Sequence, residues 1–161
     1  MTTTFMKGDL FEDGADDGGR AHGFAFGADA SGSLGQGIAV AFAKRWPAFA
    51  EAFRAAKHEV GDVFTFDAGE GVFVYALVLG RGEQKPKVSA LTRALDAMLA
   101  RASADGVHRI AMPSVGAGKG GIDPVRVKRV LSETGGKTPI SLVVFEQFVR
   151  RKAETEPSSE S

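Results

Sequence analysis

Two glycine-rich segments have a composition and spacing that suit the binding of a phosphate. Residues 116–121 follow the pattern G-x-G-x-x-G, after an apolar run and before a helix that Asp123 and Pro124 are expected to begin. Glycine lets a ligand approach the backbone closely, and the N-terminus of a helix offers unpaired N–H groups. Residues 35–37, Gly-Gln-Gly, enter a second predicted helix in the same way. We therefore expect the two segments to hold one phosphate or diphosphate from two sides.

The G-x-G-x-x-G pattern alone is a weak signal, but two of its usual contexts are excluded. A nicotinamide-dinucleotide site needs an acidic residue about 20 positions later and a second half-domain, whereas only 40 residues follow Gly121 in this 161-residue chain. A P-loop needs serine or threonine after its lysine, whereas Gly120 follows Lys119. For either segment alone, the alternative that its glycines only form turns and helix caps stays open, and the pair favours an anion site.

The composition indicates one globular domain without an excess of either charge. The chain has 161 residues, 43% of them hydrophobic, and single domains cluster at about 100–150 residues. Asp and Glu total 20, as do Lys and Arg, which argues against duplex DNA or an anionic membrane as the main partner. The absence of cysteine excludes disulfides, thiolate metal sites and cysteine nucleophiles, and predicts a cytoplasmic protein. No apolar run approaches the ~18 residues of a membrane helix.

Strands and helices alternate in the second half of the chain, which predicts a mainly parallel sheet. The strands predicted there span residues 71–79, 107–112 and 140–148. The predicted fold class is α/β, a three-layer α/β/α sandwich with a mixed, mainly parallel sheet. In such sheets ligands bind beyond the carboxyl ends of the strands. Residues 1–149 are expected to form the domain, and 150–161 a polar, flexible tail.

Four short motifs, taken in order, resemble the macrodomain family. They are Gly8-Asp9-Leu10, Ala21-His22, the segment 32–39 that leads to Phe42-Ala43-Lys44-Arg45-Trp46-Pro47, and the segment 116–123. The resemblance covers about residues 5–148. It is strongest to the branch that contains terminal ADP-ribose protein glycohydrolase and the antitoxin macrodomains. It implies a site for ADP-ribose, in agreement with the two phosphate-binding segments.

The resemblance implies a role for each residue that matches a ligand contact of the family. Asp9 matches the acid that accepts from the adenine amino group, and Phe145 matches the ring that stacks on adenine. Phe145 also fits a simple core position, and His22 also fits a packed one. The two glycine segments match the loops that enclose the distal ribose and the diphosphate. The implied ADP-ribose-binding residues are Asp9, Leu10, His22, Gly35, Gln36, Gly37, Ile38, Ser114, Val115, Gly116, Ala117, Gly118, Lys119, Gly120 and Phe145.

The resemblance is incomplete where the family's glycohydrolase carries its catalytic lysine and aspartate. The place of the lysine falls on Gly80 or Arg81, and that of the aspartate on Gly120, with Asp123 three residues later in a helix-cap position. A guanidinium stays protonated and cannot act as an amine nucleophile. We therefore hypothesise that loop amides hold a water against ribose C1″ while Arg81 neutralises the leaving carboxylate. Arg81 and Asp123 are the catalytic candidates.

The sequence leaves three functions open. The preferred one is hydrolysis of mono-ADP-ribose from modified acidic side chains, without the lysine nucleophile of the family's glycohydrolase. The others are a non-catalytic module that binds ADP-ribose and a hydrolase of free ADP-ribose esters. We expect a monomer whose partner is ADP-ribose or an ADP-ribosylated protein, with a nucleic-acid adduct less favoured. No cofactor is expected, and the three histidines lack the spacing of metal ligands.

Overall fold

Six strands and five helices are present in the computed structural model, which describes residues 3–15, 18–82, 84–116 and 121–148. In chain order the elements are β1 (Thr3–Gly8), α1 (Leu10–Asp13), β2 (His22–Asp29), α2 (Ile38–Arg45), α3 (Pro47–Ala55), β3 (Val63–Gly69), β4 (Val72–Gly80), α4 (Val88–Ala104), β5 (Arg109–Pro113), α5 (Pro124–Gly135) and β6 (Ser141–Phe148). The predicted tail 150–161 lies outside the described residues.

The strands form one sheet in the order β1-β6-β5-β2-β4-β3. β3 runs antiparallel to β4, and every other neighbouring pair is parallel. The antiparallel pair is a hairpin whose turn, Gly69–Gly71, has positive φ at all three residues, including 57° at Glu70. The prediction of a mixed, mainly parallel sheet is confirmed. The carboxyl ends of the five parallel strands consequently meet at one edge, where a ligand is expected.

Apolar side chains pack on both faces of the sheet. Along β4, Tyr75, Leu77 and Leu79 join the hydrophobic cluster that α4 and α5 complete. The intervening Val74 and Ala76 join a second cluster, which contains the phenylalanines of α1, α2 and α3. A strand covered on both faces needs a continuous apolar run, because its successive side chains point to opposite sides. The three-layer prediction is therefore confirmed.

The break between α2 and α3 lies at the proline, as the sequence predicts. α2 ends at Arg45, and Pro47 is the first residue of α3. Trp46 between them has φ −128° and ψ 80°, because a proline disfavours helical geometry in the residue before it. The bend lets both short helices cover the same face, and Phe42, Phe49 and Phe53 are fully buried there. Within the described residues, no helix combines the length and the apolar character that crossing a membrane requires.

Replacing Gly135 with alanine is expected to destabilise the protein by about 1–3 kcal/mol, as overpacking does. A Cβ there overlaps Thr3 Oγ1 and lies 2.9 Å from the Thr3 backbone nitrogen. The contact cannot relax easily, because Thr3 Oγ1 donates to the Leu131 carbonyl. The adjacent Gly136→Ala is the control, since Gly136 has φ −72° and the nearest atom to its added Cβ would be the Glu133 carbonyl oxygen, at 3.5 Å. Urea unfolding that gives equal free energies for the two variants would contradict this packing.

Candidate functional site

Two hollows open at the carboxyl edge of the sheet. The wide cleft, about 680 Å³, lies between α1 and α2, and its lining includes Asp9, Phe11, Gly37, Ile38 and Pro113. The narrow cavity, about 220 Å³, lies where β2, β4 and the second glycine segment meet, and its lining includes Gly27, Asp29, Gly80, Gly116 and Gly121. Each hollow thus contains one of the two glycine segments and one aspartate.

Asp9 is held at the wide cleft by the helix that it begins. Its Oδ1 accepts hydrogen bonds from the backbone N–H groups of Phe11 at 3.0 Å and Glu12 at 3.3 Å. An aspartate in this N-cap position satisfies donors that a helix leaves unpaired. The residue as a whole is 6% exposed, and it lines the cleft. The side chain of the following residue, Leu10, is fully buried in the core, so Leu10 can contribute only its backbone to a ligand.

The first glycine segment leads directly into α2. Gly37 precedes the helix with φ 62° and ψ −145°, and both Gly37 and Ile38 line the wide cleft. This backbone conformation is essentially restricted to glycine. Gly35 and Gln36 are exposed beside them, and the N–H of Gly35 donates to Ser33 Oγ at 3.4 Å. The structure thus brings the predicted segment to the carboxyl edge of the sheet.

The second glycine segment begins and ends at the narrow cavity. Ser114, Val115 and Gly116 follow β5, and Gly116 has φ 80°. The N–H of Ile122 donates to the Gly116 carbonyl at 2.7 Å, so the two ends of the segment are tied together. Val115 is buried, with 3% of its surface exposed. The intervening candidates lie outside the described residues, and their ligand roles stay predictions: Ala117, Gly118, Lys119 and Gly120.

Asp29 is a candidate that the sequence interpretation missed. It ends β2 and, among the described residues that line the narrow cavity, it is the ionisable one. Its Oδ1 accepts from the N–H of Gly82 at 2.8 Å, and its Oδ2 accepts from the N–H of Ser31 at 2.9 Å. An acidic residue at the carboxyl end of a buried parallel strand is the signal that could have identified it.

Asp29 keeps its negative charge down to low pH. Partial burial by itself raises the pKa of Asp29. Hydrogen bonds from Ser31 and the N–H of Gly82 act in the opposite direction, and so does the positive charge of Arg81. These effects outweigh the burial and hold the pKa of Asp29 below its usual value of 3.8. The narrow cavity therefore contains a fixed carboxylate.

Two of the residues predicted to contact the ligand lie elsewhere or are covered. His22 begins β2, seven residues and thus about 23 Å along the strand from Asp29, and its Nδ1 lies 2.9 Å from the Arg20 carbonyl oxygen. The prediction of a ligand contact for His22 is corrected, because the residue lies at the opposite edge of the sheet. Phe145 is 1% exposed within the core, and a Cβ on Gly8 would lie 3.4 Å from its ring. Its burial supports the core alternative.

The two predicted catalytic side chains do not line the narrow cavity. Arg81 is exposed, and its Nη2 donates to the His58 carbonyl at 3.2 Å. Asp123 is exposed and accepts from the N–H of Val125 at 2.9 Å, so it serves as the N-cap of α5. The chain folds this way because aspartate before proline is a strong helix start. The helix-cap position expected for Asp123 is thus observed, while the catalytic roles of Asp123 and Arg81 stay predictions; the charge of Arg81 acts on Asp29.

Comparisons with known proteins identify related sequences and folds. A family model described as the Macro domain matches residues 27–131. The human ADP-ribose glycohydrolase OARD1 is 27% identical over 142 residues, which cover 88% of this chain and 90% of the human protein. The macrodomain of Mycobacterium tuberculosis DarG superimposes with a TM-score of 0.79 at 21% identity, covering 90% and 98% of the two chains. Thermosipho africanus DarTG, solved in complex with ADP-ribose, superimposes with a TM-score of 0.74 at 15% identity over 98% of this chain and 45% of that one.

Proposed function

The chain belongs to the Macro domain family, and on that premise we propose that it binds ADP-ribose and hydrolyses mono-ADP-ribose from modified acidic side chains. The observation that carries the proposal is the pair of hollows at one sheet edge, each with a glycine segment and an aspartate. In this proposal one molecule of ADP-ribose occupies both hollows, with its adenosine in the wide cleft and its distal ribose in the narrow cavity. The wide cleft, at about 680 Å³, is within the ~300–1,000 Å³ typical of ligand sites.

Binding rests on the wide cleft and the two glycine segments. Asp9 supplies an acceptor for the adenine amino group. The guanidinium of Arg45 lies 5.2 Å from the centroid of the Phe11 ring, so a positive charge is held at the rim of the cleft. The amides of the segments at Gly37 and Gly116 hold the diphosphate from two sides. Thermosipho africanus DarTG, which shares this fold, was solved with ADP-ribose bound, and this supports the choice of ligand.

Hydrolysis uses charge stabilisation rather than a side-chain nucleophile. A water adds its oxygen to ribose C1″, and the bond from C1″ to the modified side chain breaks. The side-chain carboxylate leaves with the electron pair, and the spare proton of the water passes to solvent. Such a transition state resembles an oxocarbenium ion, whose positive charge the ionised Asp29 stabilises. We assign the neutralisation of the leaving carboxylate to Arg81, whose positive charge already acts on the nearby Asp29. The name of the human relative, ADP-ribose glycohydrolase, supports this reaction.

A non-catalytic module that binds ADP-ribose is the second candidate. The described part of the narrow cavity contains one carboxylate and no amine or imidazole. With so few reactive groups, the cavity is suited to binding ADP-ribose without hydrolysis as well as to hydrolysing an ADP-ribosyl bond. In this case Asp29 accepts hydrogen bonds from ribose hydroxyls, and the bound adduct persists. Turnover separates the two candidates.

Titration with ADP-ribose is expected to release heat and to raise the melting temperature, since a ligand at 100 times its Kd stabilises the folded state by about 2.7 kcal/mol. Incubation with a peptide ADP-ribosylated on glutamate is expected to release free ADP-ribose over many turnovers. Binding without release assigns the non-catalytic module instead. Acetyl-ADP-ribose, assayed in parallel, identifies a hydrolase of free esters if it is the better substrate. If the titration releases no heat and the melting temperature does not rise, the proposal is overturned.

A further inference from the structure

A third hollow adjoins the narrow cavity and has a different charge. It has a volume of about 560 Å³ and lies between the end of β4 and the beginning of α4. The two hollows share the wall formed by Leu79, Gly80, Gln84 and Pro86. We refer to this hollow as the basic cavity, after its residues Lys85, Lys87 and Arg93. Because of this shared wall, the basic cavity is directly adjacent to any ligand that occupies the narrow cavity.

The three cations are available to a ligand. Lys85, Lys87 and Arg93 are exposed, and within the described part of the chain none of them forms an ion pair. The stem of Arg93 lies across the turn at Gly61, where a Cβ would come within 3.1 Å of its Cδ. Gly61 has φ 97°, so this close approach is built into the turn. The absence of a side chain at Gly61 thus leaves room for Arg93 to lie against the turn beside the cavity.

The charge of the cavity is local. The chain as a whole has zero net charge, yet no acidic residue is found among the described residues that line this cavity. Glu59 and Asp62 belong to the same turn as Gly61, but both are exposed and neither lines the hollow. The other lining residues include the apolar Val60, Leu79 and Ala90 and the neutral polar Gln84 and Ser89. Three cations beside these apolar and neutral polar residues fit carboxylates carried on a chain that also has methylene groups.

We propose that the basic cavity is an acceptor subsite that binds the acidic peptide segment flanking the ADP-ribosylated residue. This inference rests on the proposed function, because the ribose in the narrow cavity fixes where the acceptor lies. Aspartates or glutamates next to the modified residue pair with the three cations. The site thereby selects acidic stretches of protein rather than any ADP-ribosylated residue.

A peptide fits these observations better than a nucleic acid. Binding of a nucleic-acid strand uses an extended basic track and aromatic rings on which bases stack. Here the cations gather around one hollow, and no aromatic ring is found among the described residues of its lining. The balanced charge of the chain also offers no general attraction for phosphates.

The test compares two peptides, each ADP-ribosylated on one glutamate. In one peptide the flanking residues are aspartate and glutamate, and in the other they are asparagine and glutamine. The readout is kcat/KM for release of ADP-ribose or, where the peptides bind without release, their Kd. We expect a preference of about fivefold or more for the acidic flanks at low salt, decreasing as salt is added. The combined variant Lys85→Gln, Lys87→Gln and Arg93→Gln is expected to lose this preference. Equal values for the two peptides with the wild-type protein would overturn the acceptor subsite.

A second variant controls for total charge, and ADP-ribose alone controls for the nucleotide site. Arg54→Gln, Lys57→Gln and Lys137→Gln remove three exposed cations elsewhere, and this variant is expected to keep the preference. Loss of the preference in both variants would assign it to net charge and overturn the proposal. If ADP-ribose itself fails to bind, the proposed function fails. If ADP-ribose binds while a single-stranded oligonucleotide competes better than the acidic peptide, the acceptor is a nucleic acid and only this inference fails.

Discussion

Replacing Gly37 with alanine is expected to lower the affinity for ADP-ribose at least tenfold. Gly37 has φ 62° and ψ −145°, a combination that costs other residues about 1–3 kcal/mol. A Cβ there meets no atom within 4 Å, so the penalty comes from the backbone and not from a clash. The segment relieves the strain by turning its peptide groups, which moves the amides away from the diphosphate. A tenfold loss corresponds to about 1.4 kcal/mol, and calorimetry measures it directly.

Gly19→Ala separates this effect from a general loss of stability. Gly19 also has positive φ, 74°, and open space around its missing Cβ. It precedes β2, at the edge of the sheet opposite the wide cleft. We expect this control to lose stability and to keep its affinity for ADP-ribose. Unchanged affinity in Gly37→Ala, or equal loss in both variants, would mean that the first glycine segment does not hold the ligand.

The architecture could be predicted because it depends on local patterns. The unbroken apolar run of β4 requires cover on both faces, and α4 and α5 supply it on one of them. Pro47 marks the division between α2 and α3, and Asp123 with Pro124 marks the beginning of α5. Each of these features involves residues that are close in sequence. Strand alternation then leaves a parallel sheet as the main solution.

The narrow cavity could not be predicted because its members are distant in sequence. Asp29 and its partner Gly82 are 53 positions apart, and nothing in the residues around Asp29 indicates that pairing. Asp29 reaches the cavity because β2 extends as far as Asp29, which pairs with Gly80 at the end of β4. His22 shows the converse error, since a motif fixes the order of residues but not which end of a strand they occupy.

Replacing Asp29 with asparagine is expected to lower kcat for ADP-ribose release by about 10²-fold, which is the scale of losing one preorganised electrostatic group. The amide keeps the size of the side chain and one oxygen that accepts the N–H of Gly82 or Ser31. It lacks the negative charge that stabilises the oxocarbenium-like transition state. Affinity for ADP-ribose is expected to change far less, because the product carries no charge at C1″. Single-turnover kinetics and calorimetry measure the two quantities separately.

Asp67→Asn is the matched control. The Oδ1 of Asp67 also accepts a hydrogen bond from a backbone N–H two residues later, that of Gly69, at 2.9 Å in the β3–β4 hairpin.

The pH profile adds a second readout. The pKa of Asp29 is lowered in the folded protein. Its contribution to stability is therefore fully present above its pKa in the unfolded chain, about 4, and is lost as the pH falls through the lower pKa of the folded state. Its contribution to catalysis is lost when acid protonates the folded protein. Wild-type kcat should therefore fall in acid, while the residual kcat of Asp29→Asn should not. Equal rates for Asp29→Asn and Asp67→Asn would show that the charge of Asp29 does not stabilise the transition state. The proposed route of hydrolysis would then be contradicted.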